Sequence, residues 1–172
     1  MNKISINDFV IDAESMPFIM AEAGINHNGK IEKALEMIKV AKNSGADAIK
    51  FQTFKATEIV SDKLLKCTYK SQGKMITESQ LELFKRCELD RDNFFEIKKA
   101  CDKENILFLS TPQNRSDLDL LLEIGIPAIK VGSDDFTNIP LLKNYSNTGL
   151  PLIVSCGMSN LNEIRQTLSA IG

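Results

Sequence analysis

Short apolar runs alternate with longer amphipathic segments along the chain. Five runs are apolar enough to form buried strands, and they cover residues 17–21, 46–53, 106–109, 127–133 and 152–155. Between and after these runs, apolar residues recur at helical spacing, which predicts helices over residues 31–41, 91–103, 118–122, 140–147 and 160–171. Gly45 and Gly125 follow two of the helical segments, where a glycine commonly ends a helix. The pattern therefore predicts an α/β fold with a parallel sheet.

The segment from residue 55 to 76 is the exception, because it has no clear period. Its four lysines, at positions 63, 66, 70 and 74, are interpreted as a solvated face of a long loop. The following residues 77–80 have the form of a capping box, which predicts another helix running through Phe84.

Polar residues stand at the carboxyl end of every predicted strand. They are Glu22, Lys50, Gln52, Ser110, Thr111, Lys130, Ser133, Asp135 and Ser155. In parallel α/β folds, ligands bind at these strand ends, and a closed barrel brings all of them to one point. A (β/α)8 TIM barrel takes about 250 residues, whereas this chain has 172. We therefore expect a polar lead-in over residues 1–16 and a partial TIM barrel over residues 17–172, covering the first five β/α units.

Two of the apolar strands carry a lysine, Lys50 and Lys130, near their ends. Burying an ammonium group is unfavourable unless an anion meets it, so the pair suggests one anionic ligand between the strands. Alternation places Lys50 and Gln52 on one face of their strand. Two alternatives remain open at this point. In one, the lysines extend their charged ends to solvent; in the other, one of them is the Schiff-base nucleophile of a class I aldolase.

Composition excludes several classes of function. A net charge of -2 and few aromatic residues give no support for binding nucleic acid or an acidic membrane. No apolar run reaches the roughly 20 residues of a membrane span, and the first residues lack a signal-peptide core, so we expect a cytoplasmic protein. The four cysteines are scattered and are expected to be reduced. The single histidine, His27, is interpreted as structural, and no metal site is predicted in this chain.

Six motifs occur in an order that closely resembles the N-terminal half of the sialic acid synthases, the family of nonulosonate synthases that includes N-acetylneuraminate synthase. They are AEAGINHNG at 21–29, IKFQT at 49–53, ESQLE at 78–82, LSTP at 109–112, IKVGS at 129–133 and SCGM at 155–158. The resemblance runs from about residue 17 to residue 172. Six ordered motifs at matching spacing make it specific.

The resemblance implies a (β/α)8 barrel that condenses phosphoenolpyruvate with an N-acylated hexosamine such as N-acetylmannosamine. The products would be a nine-carbon 2-keto sugar acid and phosphate. It also implies a divalent metal, manganese or magnesium, and a homodimer in the complete enzyme. The metal ligands of the family lie beyond the part that this chain matches, so the chain alone is expected to be inactive. A non-catalytic fragment that binds only phosphoenolpyruvate or partner subunits is the remaining alternative.

The resemblance also implies roles for individual residues. Those implied for binding phosphoenolpyruvate are Lys50, Ser110, Thr111, Lys130 and Ser133, and those implied for catalysis are Glu22, Gln52 and Asp135. Three positions depart from the family pattern: Gln113 stands where an aromatic residue is usual, Asp134-Asp135 replaces Gly-Glu, and Cys156 replaces Thr. Because Asp135 is one methylene shorter than glutamate, we expect an acceptor with a second acylated nitrogen or other added bulk. Asp134 and Asp135 as caps of the next helix are the structural alternative.

Overall fold

The structure is a computed structural model that describes residues 3–172. Its strands are β1 (Ile4–Ile6), β2 (Phe9–Ile11), β3 (Met20–Gly24), β4 (Ala48–Thr53), β5 (Lys66–Ser71), β6 (Lys74–Ser79), β7 (Leu107–Pro112), β8 (Ile129–Val131) and β9 (Leu152–Val154). Its helices are α1 (Ile31–Asn43), α2 (Ala56–Ile59), α3 (Gln80–Cys87), α4 (Arg91–Lys103), α5 (Arg115–Ile124), α6 (Ile139–Ser146) and α7 (Leu161–Ile171). Within residues 3–172, no helix has both the length and the apolar character that a membrane span requires.

The strands predicted from the apolar runs pair in parallel. β4 lies between β3 and β7, β8 pairs with β9, and β8 packs beside β7. Each of these strands is followed by at least one helix before the next begins, which is the arrangement of a TIM barrel-like fold. The predicted α/β class with a parallel sheet is therefore confirmed. That these units are the first five of a (β/α)8 barrel stays a prediction.

The two faces of the sheet carry different side chains. The outer face packs against the helices through a large apolar cluster that includes Ile49, Phe51 and Phe108. The inner face carries the alternate positions, so Lys50 and Gln52 share it, as predicted. Because the helices cover only the outer face, the polar ends of the inner face remain available to a ligand.

Part of segment 1–16, which the sequence presents as a polar lead-in, forms a β-hairpin. β1 and β2 pair antiparallel, and Asn7 in the tight turn between them has φ of 50°. Ile6 is fully buried and packs with Ala48 and Ala128, near the amino ends of β4 and β8. The hairpin therefore covers the end of the sheet opposite the predicted site. The first two residues of the predicted lead-in lie outside the described residues.

A second hairpin, β5–β6, occupies the segment that the sequence presents as a long loop. Gln72 and Gly73, with φ of 48° and 80°, form the two-residue turn, and both conformations suit a type I′ turn. The hairpin continues to Ser79, so the predicted capping box at 77–80 is wrong. Ser79 is the N-cap of α3 and accepts from the Glu82 N–H at 3.4 Å, whereas Thr77 lies in β6.

Glu78 attaches this hairpin to α3. Its carboxylate accepts two hydrogen bonds from the Arg86 guanidinium, both at 2.8 Å, and one from the Tyr69 hydroxyl at 2.5 Å. These bonds, the Arg86 bond first, lower the pKa of Glu78 to about 2. The contact holds α3 in position beside the carboxyl ends of the strands.

The other predicted helices are present, with capping geometry that explains their ends. Gly45 and Gly125 follow α1 and α5 with φ of 84° and 83°, which favours glycine. Asn160 is the N-cap of α7 and forms the capping box with Glu163. His27 is buried, and its Nδ1 accepts from the Gly29 N–H at 3.1 Å. The expected hydrogen bond between this histidine and its loop is therefore present.

Candidate functional site

A cluster of charged and hydroxyl groups lies at the carboxyl ends of β3, β4, β8 and β9. Glu22 and Lys50 are register partners on adjacent strands, and Lys50 Nζ lies 2.8 Å from Glu22 Oε2. Lys130 Nζ donates to Ser155 Oγ at 2.7 Å and to the Val131 carbonyl. Both lysines belong to the inner face, so the parallel sheet brings together the two ammonium groups that the sequence places about 80 residues apart.

Both lysines are buried, at 4% exposed for Lys50 and 8% for Lys130. The alternative in which they extend to solvent is therefore wrong. Burial lowers the pKa of the Lys130 ammonium, and the positive charge of Lys50 lowers it further, while Glu22 and Asp134 oppose the shift. The site thus combines two buried cations, and within residues 3–172 only Lys50 has a carboxylate in direct contact. An anionic ligand would relieve this excess of positive charge.

Ser110 and Thr111, both predicted to bind the ligand, lie on opposite faces of β7. Ser110 is the register partner of Phe51, and its hydroxyl lies 2.7 Å from the Thr53 hydroxyl on the outer face. Thr111 is the register partner of Gln52 and lies on the inner face. The structure therefore brings Thr111 to the candidate site and does not bring Ser110 there, because neighbouring residues of a strand point to opposite sides.

The loop after β8 carries the predicted residues Ser133 and Asp135, together with Asp134. The helix that follows is capped by Asn138, whose side chain accepts from Leu141 N–H, so the capping alternative for the two aspartates is wrong. Asp135 is half-buried, and burial is the main cause that raises the pKa of its carboxyl. The Asp134 carboxylate lies directly over Gly132, where an added Cβ would be 2.1 Å from Oδ1. Gly132 thus makes room for the side chain of Asp134.

A cavity of about 440 Å³ lies beside the two lysines, at the same end of the sheet. Gln52 connects the cavity to the lysine site, because it shares the inner face of β4 with Lys50 and also lines the cavity. The cavity is lined by Ile25, Gln52, Phe54, Ile59, Gln80, Phe84, Gln113 and Asp134. Phe54 and Phe84 meet edge to face at 5.6 Å between ring centroids and form part of its apolar wall.

Asp117 fixes the loop that carries Gln113. Its carboxylate accepts from the Gln113 and Asn114 N–H groups, both at 3.2 Å, and it forms the capping box of α5 with Asn114. Burial is the largest cause that raises the pKa of Asp117 to about 6, and nearby Glu58 adds to the shift. The side chain is 4% exposed, so it acts as a buried anchor rather than as a group open to solvent.

Sequence reasoning did not assign roles to Ser155, Asp134, Gln113 or Asp117. Ser155 was recognisable as a strand-end hydroxyl, and its contact with Lys130 depends on the pairing of β8 with β9. Asp117 stands three residues after Asn114, which is the spacing of a capping box. Asp134 and Gln113 were visible only as departures from the family pattern, because a cavity formed by five separate segments leaves no local signal.

Within residues 3–172, no group of three or more histidine, cysteine, aspartate or glutamate side chains is arranged to hold a metal ion. His27, the single histidine, is buried with Nδ1 already accepting a hydrogen bond. The divalent metal implied by the resemblance therefore has no such group of ligands within residues 3–172.

The sequence matches the model of the NeuB family over residues 37–172. The chain belongs to the NeuB family. It is 41% identical over 153 residues to the N,N'-diacetyllegionaminic acid synthase of Campylobacter jejuni subsp. jejuni serotype O:2, covering 89% of this chain and 46% of that protein. It is 37% identical over 154 residues to the enzyme of the same name from Legionella pneumophila, covering 90% of this chain and 43% of that protein. The predicted membership of the sialic acid synthase family is therefore confirmed.

Solved structures of NeuB relatives have the same fold. The crystal structure of the N-acetylneuraminic acid (sialic acid) synthetase of Leptospira borgpetersenii serovar Hardjo-bovis, in complex with citrate, superposes with a TM-score of 0.86 at 33% identity. The match covers 99% of this chain and 55% of that chain. This chain spans about half the length of the relatives it matches.

Proposed function

We propose that this chain forms the phosphoenolpyruvate-binding part of a nonulosonate synthase. The complete enzyme would join phosphoenolpyruvate to an N-acylated hexosamine and release a nine-carbon 2-keto sugar acid and phosphate. The observation that carries the proposal is the pair of buried lysines, Lys50 and Lys130, on the inner face of the sheet, where the charge of Lys50 acts on Lys130. Within residues 3–172, Glu22 is the one carboxylate that forms an ion pair with either lysine. Such a site favours a multiply charged anion over a neutral ligand.

In the proposed complex, Lys50 and Lys130 hold the phosphate and carboxylate groups of phosphoenolpyruvate, with Thr111 and Ser133 as hydroxyl donors. Ser155 already accepts from Lys130 and would keep the ammonium directed to the ligand. C3 of phosphoenolpyruvate then attacks the aldehyde carbon of the open-chain sugar, and the aldehyde oxygen takes up a proton. Water adds at C2, phosphate leaves, and the ketone forms. Glu22 stands next to Lys50, where a carboxylate can move a proton beside the reacting carbons.

The names of the relatives bear on the acceptor. Two NeuB relatives, 41% and 37% identical, are named for N,N'-diacetyllegionaminic acid, which carries two acetylated nitrogens. Asp135, one methylene shorter than the usual glutamate, leaves additional room near the acceptor. We therefore include a hexosamine with a second acylated nitrogen as the acceptor class. The divalent metal, the homodimer, the cytoplasmic location and the inactivity of the isolated chain stay proposals of the same account.

A class I aldolase is the second candidate, because the lowered pKa of Lys130 makes an unprotonated amine more accessible. Sodium borohydride with pyruvate separates the two functions. An aldolase would form a Schiff base at Lys130 that borohydride converts to a stable adduct, visible as an increase in protein mass. If the chain is part of a synthase, no adduct should form. It should instead bind phosphoenolpyruvate, and inorganic phosphate should compete with that binding. An adduct lost in Lys130→Met would establish the aldolase instead.

A further inference from the structure

The cavity beside the lysines has a lining unlike that of the lysine site. Three glutamines, Gln52, Gln80 and Gln113, line it together with Asp134, and apolar side chains complete it. None of the lining residues in the described part of the chain, residues 3–172, is basic. The glutamine side chains make no hydrogen bond within the part of the chain that the structure describes. The three side-chain amides therefore offer hydrogen-bond donors and acceptors next to an apolar surface that can contact a methyl group.

This lining complements an N-acylamino group. An acetamido substituent offers one N–H, one carbonyl and one methyl group, so glutamine amides can bind its polar atoms while Phe54, Ile59 and Phe84 contact the methyl. The same lining opposes an anion. Asp134 is the one charged residue among the cavity's lining, and a phosphate group would face its carboxylate with no lining cation to offset the repulsion.

The position of the cavity fits a substituent that is remote from the reacting carbon. Gln52 follows Lys50 by two residues on the same face, so its Cα lies about 6.6 Å farther along β4 at the usual rise per residue. Asp134 connects the two regions, because it lines the cavity and its charge also acts on Lys130. An acceptor whose aldehyde meets phosphoenolpyruvate at the lysines would extend its far end into this cavity.

We propose that the cavity selects a neutral acceptor through an N-acylamino group distant from the aldehyde, with Gln113 and Gln80 as specificity-determining residues and Asp134 excluding phosphorylated sugars. The proposal rests on the proposed function, since it takes the lysine site as the place of phosphoenolpyruvate. Gln113 is held in position by the bond from its N–H to the Asp117 carboxylate, which fixes the loop before any ligand binds. The cavity thus recognises the acceptor, whereas the lysines bind the phosphoenolpyruvate.

The test is saturation-transfer NMR on the full chain, with and without phosphoenolpyruvate. The probes are N-acetylmannosamine, its 6-phosphate, and a hexose with acetamido groups at C2 and C4. We expect the C4 acetamido methyl of the diacetamido sugar to receive the strongest saturation, and the 6-phosphate to bind at least about tenfold more weakly than either neutral sugar.

Four variants make the test specific. In Gln113→Leu and Gln80→Leu, the new side chain is close in volume to the native one. Each variant is expected to bind the diacetamido sugar about tenfold more weakly and to bind phosphoenolpyruvate as the native chain does. Asp134→Asn is expected to reduce the difference in affinity between N-acetylmannosamine and its 6-phosphate. Gln166→Leu, at an exposed position of α7, is the matched control and should change nothing.

Three results would overturn the proposal. The first is equal binding of the 6-phosphate and the neutral sugars, and the second is unchanged sugar binding in both glutamine variants. Loss of all sugar binding while phosphoenolpyruvate still binds would also overturn it and leave the proposed function intact. Failure of the chain to bind phosphoenolpyruvate, with sugar discrimination preserved, would instead remove the proposed function and keep the cavity as an acylamino site.

Discussion

The opposite orientations of Ser110 and Thr111 give the sharpest test of which β7 residues touch the ligand. Ser110→Ala removes the 2.7 Å hydrogen bond between the Ser110 and Thr53 hydroxyl groups, so the buried Thr53 hydroxyl loses its partner. An unsatisfied buried hydroxyl costs about 1–3 kcal/mol, so Tm should fall by about 2–4 °C for each kcal/mol. Binding of phosphoenolpyruvate should stay within about twofold of the native chain, because the side chain lies on the outer face.

Thr111→Val removes a hydroxyl from the inner face and keeps the shape of the side chain. A hydrogen bond to a charged phosphate contributes about 1.5–3 kcal/mol, so the dissociation constant for phosphoenolpyruvate should rise roughly 10- to 150-fold. Isothermal titration calorimetry gives the affinities, and thermal unfolding gives the stabilities. The reasoning would be refuted if Ser110→Ala weakened binding more than Thr111→Val, or if Thr111→Val bound normally.

Three further predictions follow from the ionisable groups. Phosphoenolpyruvate affinity should begin to fall below pH 10.5 as pH rises through the lowered pKa of Lys130, and titration calorimetry of Lys130→Arg should show a flat profile. Between pH 3.8 and about 6, the folded state holds more protons at Asp117 than the unfolded state, so stability should decrease as pH rises; urea unfolding of Asp117→Asn should lack this dependence. The pKa of Glu78 is lowered from 4.5 to about 2, so hydrogen exchange should show the β5–β6 hairpin protected at pH 4 and opened near pH 2, with Glu78→Gln opened at both.

Most of the parallel sheet was predictable, because apolar runs and helical periodicity report burial directly. The placement of Lys50 and Gln52 on one face followed from alternation, and the same rule separates Ser110 from Thr111 once the register of β7 is known. The sequence alone does not supply that register. It comes from the pairing of Phe51 with Ser110 across two strands.

The two hairpins were missed for different physical reasons. Gln72-Gly73 is a recognisable turn pair, but the flanking strands are largely exposed and carry lysines, so their apolar alternation is weak. The β1–β2 hairpin depends on Ile6, whose burial comes from tertiary contact with Ala48 and Ala128. The cavity was not predictable at all, because its walls meet only after α3 docks through Glu78.

Titration of phosphoenolpyruvate into the chain, its Lys50→Met and Lys130→Met variants and the control Lys39→Met tests the central claim most directly. Methionine keeps the length of the side chain and removes the charge, while Lys39 is exposed on α1. Each inner-face substitution should raise the dissociation constant at least about tenfold, and the control should leave it unchanged. Native affinity in both Lys50→Met and Lys130→Met would contradict the assignment of these lysines to the phosphoenolpyruvate site.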